Sequence, residues 1–537
     1  MEQTYSIACR GGLDLTTNTQ ELLRKPGWAT RLLNFEPSND GGYRRVSGYT
    51  TFGSGRTPGT EQTPIKGIKI ITDNSIIVCH EDKVWFTYNG TDYVQINKEL
   101  TPPHNAVNYT DLQALPSLGR GDSIRYDFKV FRIGTSIIVM GVSEGHLPFY
   151  FSVTGTTIED SMYVYKEIDV SSGSLSGAYQ CEKFKDQLVI SGMDSAPSEI
   201  YYSDILAPDD FEGSNAGSIG FNDTVVGLQM FRENLYVFCK NSIHRVSGLS
   251  TGVPERVPVT MKIGCVNGDS IQEIAGDVVF LAPDGLRTLS ATDKIGDVNL
   301  GSLSENIVNK LRTINRNIGK YSIRTTVLKN KVQYRCFIKG NIGESVGSYS
   351  FIMKLGTLDT GERTTEFSEL SGFDVAAIDN GYLNGGERTL SGDSQGNIWY
   401  HDEGIDFNGS QPMFLYETPY FAIEDPAIRK NLHKLITYIK LEGVTNFTIT
   451  VKYDYGSTSV YQPAPYVIDE LLAPAVYGES IYTNNQVRYG TTSSPVIKTL
   501  TEGSGKNMAI RISPATGPCA PFSLQGFDLY YIPGGRI

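Results

Sequence analysis

The side chains that could do chemistry are thinly spread along this chain. Six histidines, at positions 80, 104, 146, 244, 401 and 433, include no two within five residues, so no local pattern offers paired imidazoles to a metal. Seven cysteines, at 9, 79, 181, 239, 265, 336 and 519, form no Cys-x-x-Cys pair, and several sit inside apolar runs such as Ile76 to Cys79 and Tyr236 to Cys239. That placement predicts reduced core thiols made in a reducing cytoplasm. No Gly-x-Ser-x-Gly elbow, phosphate-cradling glycine loop or His-Glu-x-x-His helix occurs. The adjacent carboxylates Asp209-Asp210 and Glu424-Asp425 could serve glycoside hydrolysis only if a partner stood roughly 5–10 Å away across a cleft. Both stand in turn contexts, Ala207-Pro208-Asp209-Asp210-Phe211 and Glu424-Asp425-Pro426, where carboxylates serve the backbone. The residues therefore predict no catalytic site, no cofactor and no metal, and a protein that is not an enzyme.

Charge and hydropathy narrow the partners. The formal net charge is −12, and basic residues cluster only briefly, at Arg24-Lys25 and Arg44-Arg45. A protein that grips a phosphate backbone concentrates Lys and Arg on one surface, so tight DNA binding is disfavoured, whereas an acidic wall that DNA slides past is allowed. The opening residues MEQTYSIACRGG lack a charged segment followed by an apolar one, and no apolar run approaches the roughly 18 residues of a membrane helix. Export by a signal peptide and membrane insertion are not expected. The sequons at Asn89, Asn108, Asn222, Asn408 and Asn446 then carry no weight.

The elements that would position any site are strands. Thr224 to Ser247 holds three apolar runs, Val225 to Phe231, Leu235 to Cys239 and Ile243 to Val246, separated by Arg232-Glu233-Asn234 and Lys240-Asn241-Ser242. Short runs rich in Val, Leu, Tyr and Phe between polar turns predict antiparallel strands. In the middle run Leu235, Val237 and Cys239 face one way and Tyr236 and Phe238 the other, so the sheet must be covered on both sides. The same unit recurs, its second strand beginning at Ile76, Ile137, Leu188, Leu235, Val278 and Val332. Spacings near those of four-stranded blades predict an all-β protein built around a β-propeller of six or seven four-stranded blades, each shielded by its neighbours. SGDSQGNIWY, Ser391 to Tyr400, resembles the aspartate-box turn of sialidase-type propellers with one extra residue between Asp393 and Gly396, and predicts a structural hairpin. Ser304 to Ile314 puts Ile307, Val308, Leu311 and Ile314 on one face after a candidate Ser304 N-cap, predicting a short helix.

Three regions follow. Residues 1–62 read as an extended N-terminal arm with little core of its own, which must dock elsewhere through Trp28, Phe35, Tyr43 and Arg44, with Leu32 and Leu33 beside them. Residues 63–404 are the propeller. Residues 405–537 carry longer strands around Leu435 to Leu441, Phe447 to Asp454, Met508 to Ile512 and Phe527 to Ile532, separated by the excursion Tyr461 to Ser480, and read as a β-sandwich-like domain.

Pro26-Gly27-Trp28-Ala29, Leu33-Asn34-Phe35-Glu36 and Gly41 to Tyr49 (GGYRRVSGY), with YYSDILAPDDF from Tyr201 to Phe211, resemble the tail nozzle proteins of short-tailed bacteriophages, also called tail tubular protein B or packaged-DNA stabilisation proteins. The resemblance covers the N-terminal arm and the propeller. It implies a virion component made in the host cytoplasm: a homohexamer that closes and then conducts the DNA exit channel, contacting a tail adaptor above and a fibre or tip protein below. Two other readings of the residues stay open at this point, a glycan-binding or glycan-hydrolysing propeller and an intracellular scaffold propeller.

Overall fold

The computed structural model describes residues 2–57, 62–81, 83–88, 90–98, 125–153, 164–171, 173–289, 302–341, 343–357, 363–471, 473–474, 487–488 and 496–534. His104, the sequons at Asn89 and Asn108 and part of the Tyr461 to Ser480 excursion lie outside them.

The hairpin repeat closes into a ring of seven blades. Blade one is Ile65–Thr72, Ser75–His80, Lys83–Thr87 and Tyr93–Lys98; blade two is Tyr126–Ile133, Ser136–Ser143, Phe149–Val153 and Val164–Glu167. Blade three runs Gln180–Phe184, Gln187–Ser191, Glu199–Tyr202 and Gly217–Gly220, and blade four Val225–Phe231, Asn234–Cys239, Ile243–Ser247 and Glu255–Thr260. Blade five has three strands among the described residues, Gln272–Ile274, Asp277–Ala282 and Gly285–Thr288, and blade six has Tyr321–Leu328, Gln333–Gly340, Tyr349–Thr357 and Arg363–Leu370. Blade seven takes Ala377–Leu383, Gly386–Gly392 and Asn397–His401 from one end of the ring and Tyr49–Arg56 from the other. The first strands of successive blades touch around the circle, with the 3-10 turn Gly268–Ser270 making the contact to blade four at the blade four to five junction, and those of blades seven and one meet. Because the last blade borrows its outer strand from the chain's beginning, the ladder Trp399↔Thr51, Tyr400↔Thr50 and His401↔Tyr49 must break before the ring can open.

Blade four shows why the residues dictate the stacking. Arg232 and Glu233 both take positive φ, 45° and 65°, in the tight turn that joins its first two strands. Leu235, Val237 and Cys239 pack with Phe184, Val189 and Ile200 of blade three, while Phe238 and Tyr236 pack with Val278 and Phe280 of blade five. The two apolar faces read from the strand therefore belong to two different interfaces.

The N-terminal segment differs from expectation. Instead of an arm without a core, its strands complete a two-sheet sandwich with the C-terminal residues. One sheet orders Phe35–Pro37, Tyr43–Arg45, Phe522–Pro533, Lys430–Leu441 and Val496–Leu500, with Gln3–Ala8 pairing along Phe522–Pro533. The other continues from the outer strand of blade six through Arg31–Leu33, Leu415–Glu417, Met508–Pro514, Thr445–Tyr453 and Tyr466–Leu471. Three-residue strands such as Arg31–Leu33 and Tyr43–Arg45 are too short to show alternation, and each has a partner some 400 or more positions away, as in Leu32↔Tyr416 and Tyr43↔Leu524. Blade six thus runs without interruption into the sandwich, and one buried cluster joins Phe35, Tyr43, Tyr334, Phe351, Tyr416 and Phe522.

The predicted helix is present with a different start. Glu305–Ile307 is a single 3-10 turn leading into a helix over Val308–Asn315, with Val308, Leu311 and Ile314 buried. Ser304 does not cap it: its Oγ accepts a hydrogen bond from the backbone N–H of Leu286 at 2.9 Å, because it is buried against blade five.

Candidate functional site

Two charged sites emerge. The first lies in the seam between propeller and sandwich. Glu36, 2% exposed, accepts from Arg44 Nη1 at 2.8 Å, Lys331 Nζ at 3.0 Å and Arg335 Nη2 at 3.1 Å. Arg335 Nη2 also reaches Asp402 Oδ1 at 3.0 Å, Lys331 reaches it at 3.2 Å, and Arg44 Nη2 continues to Glu442 Oε2 at 2.6 Å. The network ties blades six and seven to the sandwich sheet that holds Phe35–Pro37 and Tyr43–Arg45, beside a cavity of about 490 Å³. Burial, the largest effect, pushes the Glu36 carboxyl upward, but Lys331, Arg335 and Arg44 outweigh it against the opposing Asp402, and the net is below the usual carboxylate range. Asp402 is likewise held well below that range, burial being outweighed by Arg335 and Lys331. Arg45, fully buried, adds neutral clamps: its guanidinium donates to the carbonyls of Val46 at 2.5 Å and Cys519 at 2.5 Å, and to that of Ile405.

The second site is the axial channel of the ring, a cavity of about 740 Å³ lined by the first strands of the blades. Strand alternation places Arg125, Asp127 and Lys129 of blade two, and Gln180 and Glu182 of blade three, toward it. Asp269 is shared between Arg125 and Arg324, the latter at 2.8 Å, while Lys129 pairs with Glu182 at 2.7 Å and Lys69 with Asp379 at 2.8 Å. Each bridge joins side chains of different blades, so the lining also locks the ring. Burial lowers the pKa of Arg324, Asp269 opposes this and Arg125 adds to it, leaving it below the ordinary value. Burial also raises Glu182 above the usual range despite Lys129. This site was not found from the sequence: Arg125, Asp127 and Lys129 alternate with Tyr126 and Phe128 as in any strand with one polar face, and that pattern does not say which charges meet.

The residues expected to dock the arm are placed within the chain's own fold. Phe35 is fully buried, edge-on to Phe414 at 5.7 Å and Phe522 at 5.8 Å. Tyr43, also fully buried, donates from its hydroxyl to the Gly27 carbonyl at 3.2 Å and accepts from the Gly12 N–H at 2.9 Å. Trp28 is half-buried against Gly11 with Lys25 Nζ 4.3 Å above its ring, and Arg44 belongs to the seam. Their surface was expected to face another molecule because the strands that cover them come 400 residues later.

The other candidates serve the backbone. Asp393 Oδ1 accepts from the N–H groups of Gln395 and Asn397, both at 2.8 Å, and its Oδ2 accepts from Asn397 Nδ2 at 2.7 Å and Trp399 Nε1 at 3.0 Å. The box-like turn is thus a structural hairpin. Asp210 accepts from the Glu212 N–H at 2.9 Å and Asp425 from the Ala427 N–H at 2.8 Å, as turn carboxylates do. His80 bonds Thr57 at 2.6 Å, and His401 bonds Ser391 at 2.6 Å and is pushed down to about 4 by burial and then by Arg335. Among the described residues no group of three or more His, Cys, Asp or Glu is placed to hold a metal ion, and no helix is long and apolar enough to cross a membrane.

No family model and no curated protein matches the chain. Among solved structures it is similar to an ancestral GH74 enzyme, with TM-score 0.36 and 8% identity over 74% of this chain and 53% of that one. It is similar to Hsv2 of Kluyveromyces lactis, with TM-score 0.28 and 13% identity over 57% of this chain and 98% of that one. A third is the extracellular domain of a hybrid two-component system from B. thetaiotaomicron, with TM-score 0.39 and 9% identity over 92% of this chain and 61% of that one. The chain therefore spans about half the length of the GH74 enzyme. These likenesses concern the fold, an all-β propeller. One expectation is withdrawn: a GH74 enzyme stands among the matched structures, and the chain is no longer described as a non-enzyme.

Proposed function

We propose that the chain is a tail-nozzle-type subunit of a short-tailed bacteriophage, a rigid part of the ring through which DNA leaves. The observation that carries this reading is where the resembling residues fall. Leu33 to Glu36 and Tyr43 to Tyr49 form the seam itself: Phe35 and Tyr43 fill the sandwich core, Val46 and Tyr49 pack at the propeller's edge, and Glu36, Arg44 and Arg45 supply the ion pairs and clamps. A sequence signature that serves to weld two bodies together suits a protein with a mechanical task. The net charge of −12 suits a wall along which DNA passes without being held. The homohexamer, the adaptor contact above and the fibre or tip contact below come from the resemblance and belong to the proposal. Electron microscopy of purified protein and of virions tests it. A sixfold ring at the distal tail is the expected result; a monomer with no such density at the tail overturns it.

A second reading is a glycan-binding or glycan-hydrolysing propeller. It is favoured by the axial channel, where carboxylates, guanidiniums and an amide converge, as they do in sites that recognise hydroxyl groups. None of the three solved structures named above is a tail component, and one is a GH74 enzyme. A polysaccharide panel tests this reading: cleavage or retention abolished by Asp269→Asn supports it, and inactivity of the wild-type protein across the panel refutes hydrolysis.

A further inference from the structure

The strand that closes the ring, Tyr49–Arg56, is held at both ends by a buried histidine. At its start Tyr49 stands opposite His401 across the ladder, the two rings 6.3 Å apart, and the imidazole stacks on Phe373 at 5.4 Å. At its end the hydroxyl of Thr57, the residue after Arg56, meets His80 Nδ1 at 2.6 Å. The Gly396 turn of blade seven lies over the same imidazole, where a Cβ would come 2.8 Å from His80 Nε2. His80 is fully buried and His401 is 4% exposed. Blade one supplies the first and blade seven the second, so the closing strand is gripped from both sides of the junction.

Both places suit a neutral imidazole and neither suits a charged one. His401 Nε2 meets Ser391 Oγ at 2.6 Å, while its Nδ1 is buried with no hydrogen-bond partner, so a second proton would leave a buried N–H without an acceptor. Arg335 of blade six repels that charge, and Asp402, itself paired with Arg335 and Lys331, attracts it; burial and Arg335 prevail and push the imidazole down to about 4. His80 Nε2 lies 3.1 Å from the Thr63 carbonyl, which can only accept, so that nitrogen carries the proton and Nδ1 accepts from Thr57. Protonating Nδ1 turns the acceptor into a donor and takes from the Thr57 hydroxyl the atom to which it donates. Burial disfavours the charge on His80, Glu81 and the Thr63 carbonyl favour it, and Arg56 and Lys66 oppose it, leaving the pKa below the ordinary value. We propose that the two histidines form an acid-released latch: as pH falls, their protonation frees Tyr49–Arg56 from blade seven and opens the ring at that junction while the other blades stay folded. The closed strand admits only the neutral imidazoles, whereas the released strand leaves either form to water. Closure is therefore complete above the ordinary histidine value near 6.5 and weakens as pH falls from there toward the folded value. Each pH unit in that range raises the released fraction about tenfold per histidine, and for His401 the range runs down to about 4, about 300-fold in all. The seam carboxylates Glu36 and Asp402 are held below the usual carboxylate range and stay charged across it.

The latch operates in the same way under either reading of the function. Amide hydrogen exchange of the full chain, followed by mass spectrometry between about pH 7.5 and about pH 4.5 and corrected for the intrinsic pH dependence of exchange, tests it. Below about pH 6.5, Tyr49–Arg56 and its partner Asn397–His401 are expected to open about tenfold more readily per pH unit, or more steeply where both histidines titrate together. Gln187–Ser191 of blade three, which holds no histidine, is expected to stay level. His401→Gln and His80→Asn put neutral amides in place of the imidazoles; each is expected to remove about one tenfold step per pH unit, and the double variant to leave the exchange of the strand flat. Should a variant fail to fold, exchange of the imidazole C2 hydrogens in the wild-type chain reads the histidines directly, and both are expected to titrate below about 6.5. Opening of Tyr49–Arg56 that is independent of pH, that rises equally in blade three, or that keeps its pH dependence in the folded double variant overturns the proposal, as does titration of both histidines at about 6.5.

Discussion

Replacing Glu36 by Gln tests the claim that propeller and sandwich are welded by charge. The substitution keeps the shape of the side chain and removes the one carboxylate that accepts from Arg44, Lys331 and Arg335 within 3.1 Å. Breaking a buried ion pair from one side costs about 3–5 kcal/mol, because the partner charge stays buried. Here Arg335 keeps Asp402 at 3.0 Å and Arg44 keeps Glu442 at 2.6 Å, which places the loss at the lower end, about 3 kcal/mol. Guanidinium titration followed by circular dichroism and tryptophan fluorescence reads this; Trp28 reports from the sandwich side, and Trp85 and Trp399 from blades one and seven. The two signals should coincide in the wild-type protein and separate in the variant, the seam having been loosened. The acid limb should change as well. Glu36 is held below its unfolded value near 4.3, so its contribution is complete above that pH and is lost as pH falls through the folded value. The variant should therefore lose less stability on acidification below about pH 4 than the wild type does. A destabilisation under about 1 kcal/mol, as for an exposed pair, with both signals still coincident, would refute the reasoning.

Three further outcomes are expected. Asp393→Ala strands four donors in the hairpin of blade seven and should cost about 2–4 kcal/mol in urea titration while leaving any polysaccharide cleavage at the wild-type rate per folded molecule. Gly392→Ala should destabilise by about 1–3 kcal/mol or more, since a Cβ there would lie 2.3 Å from Ile65 Cβ where blades seven and one meet; thermal melting measures it, and an unchanged melting point would contradict the tight closure. All seven cysteines are buried without disulfides, and burial pushes the thiols of Cys9 and Cys239 up to about 12, so the native chain should give almost no reaction with a thiol reagent at about pH 8 and seven equivalents once unfolded.

The hairpins of the ring were legible because their information is local. A tight turn between alternating apolar runs fixes a pair of strands, and the second strands expected from Ile76, Ile137, Leu188, Leu235 and Val278 each begin one residue earlier in the structure. Val332 instead sits in the turn just before its strand, at positive φ. Both faces of Leu235 to Cys239 being apolar already required a neighbour on each side. What remained hidden was non-local. Three-residue strands carry no period, so nothing in Arg31–Leu33 or Tyr43–Arg45 announces pairing with residues 415–417 or 522–533. Nor does Tyr49–Arg56 announce that it is the fourth strand of a blade whose other three come at the far end of the ring. The charged sites were out of reach for the same reason: Glu36 meets Arg335, and Arg125 meets Asp269, only after the circle closes, and a lone charge in a strand looks the same whether it ends in water or in a buried pair. The sequence by itself determined the strands, their turns and their need for cover; the tertiary structure alone decided the number of blades, the partner of each short strand and the meeting of opposite charges, because those depend on contacts between residues hundreds of positions apart.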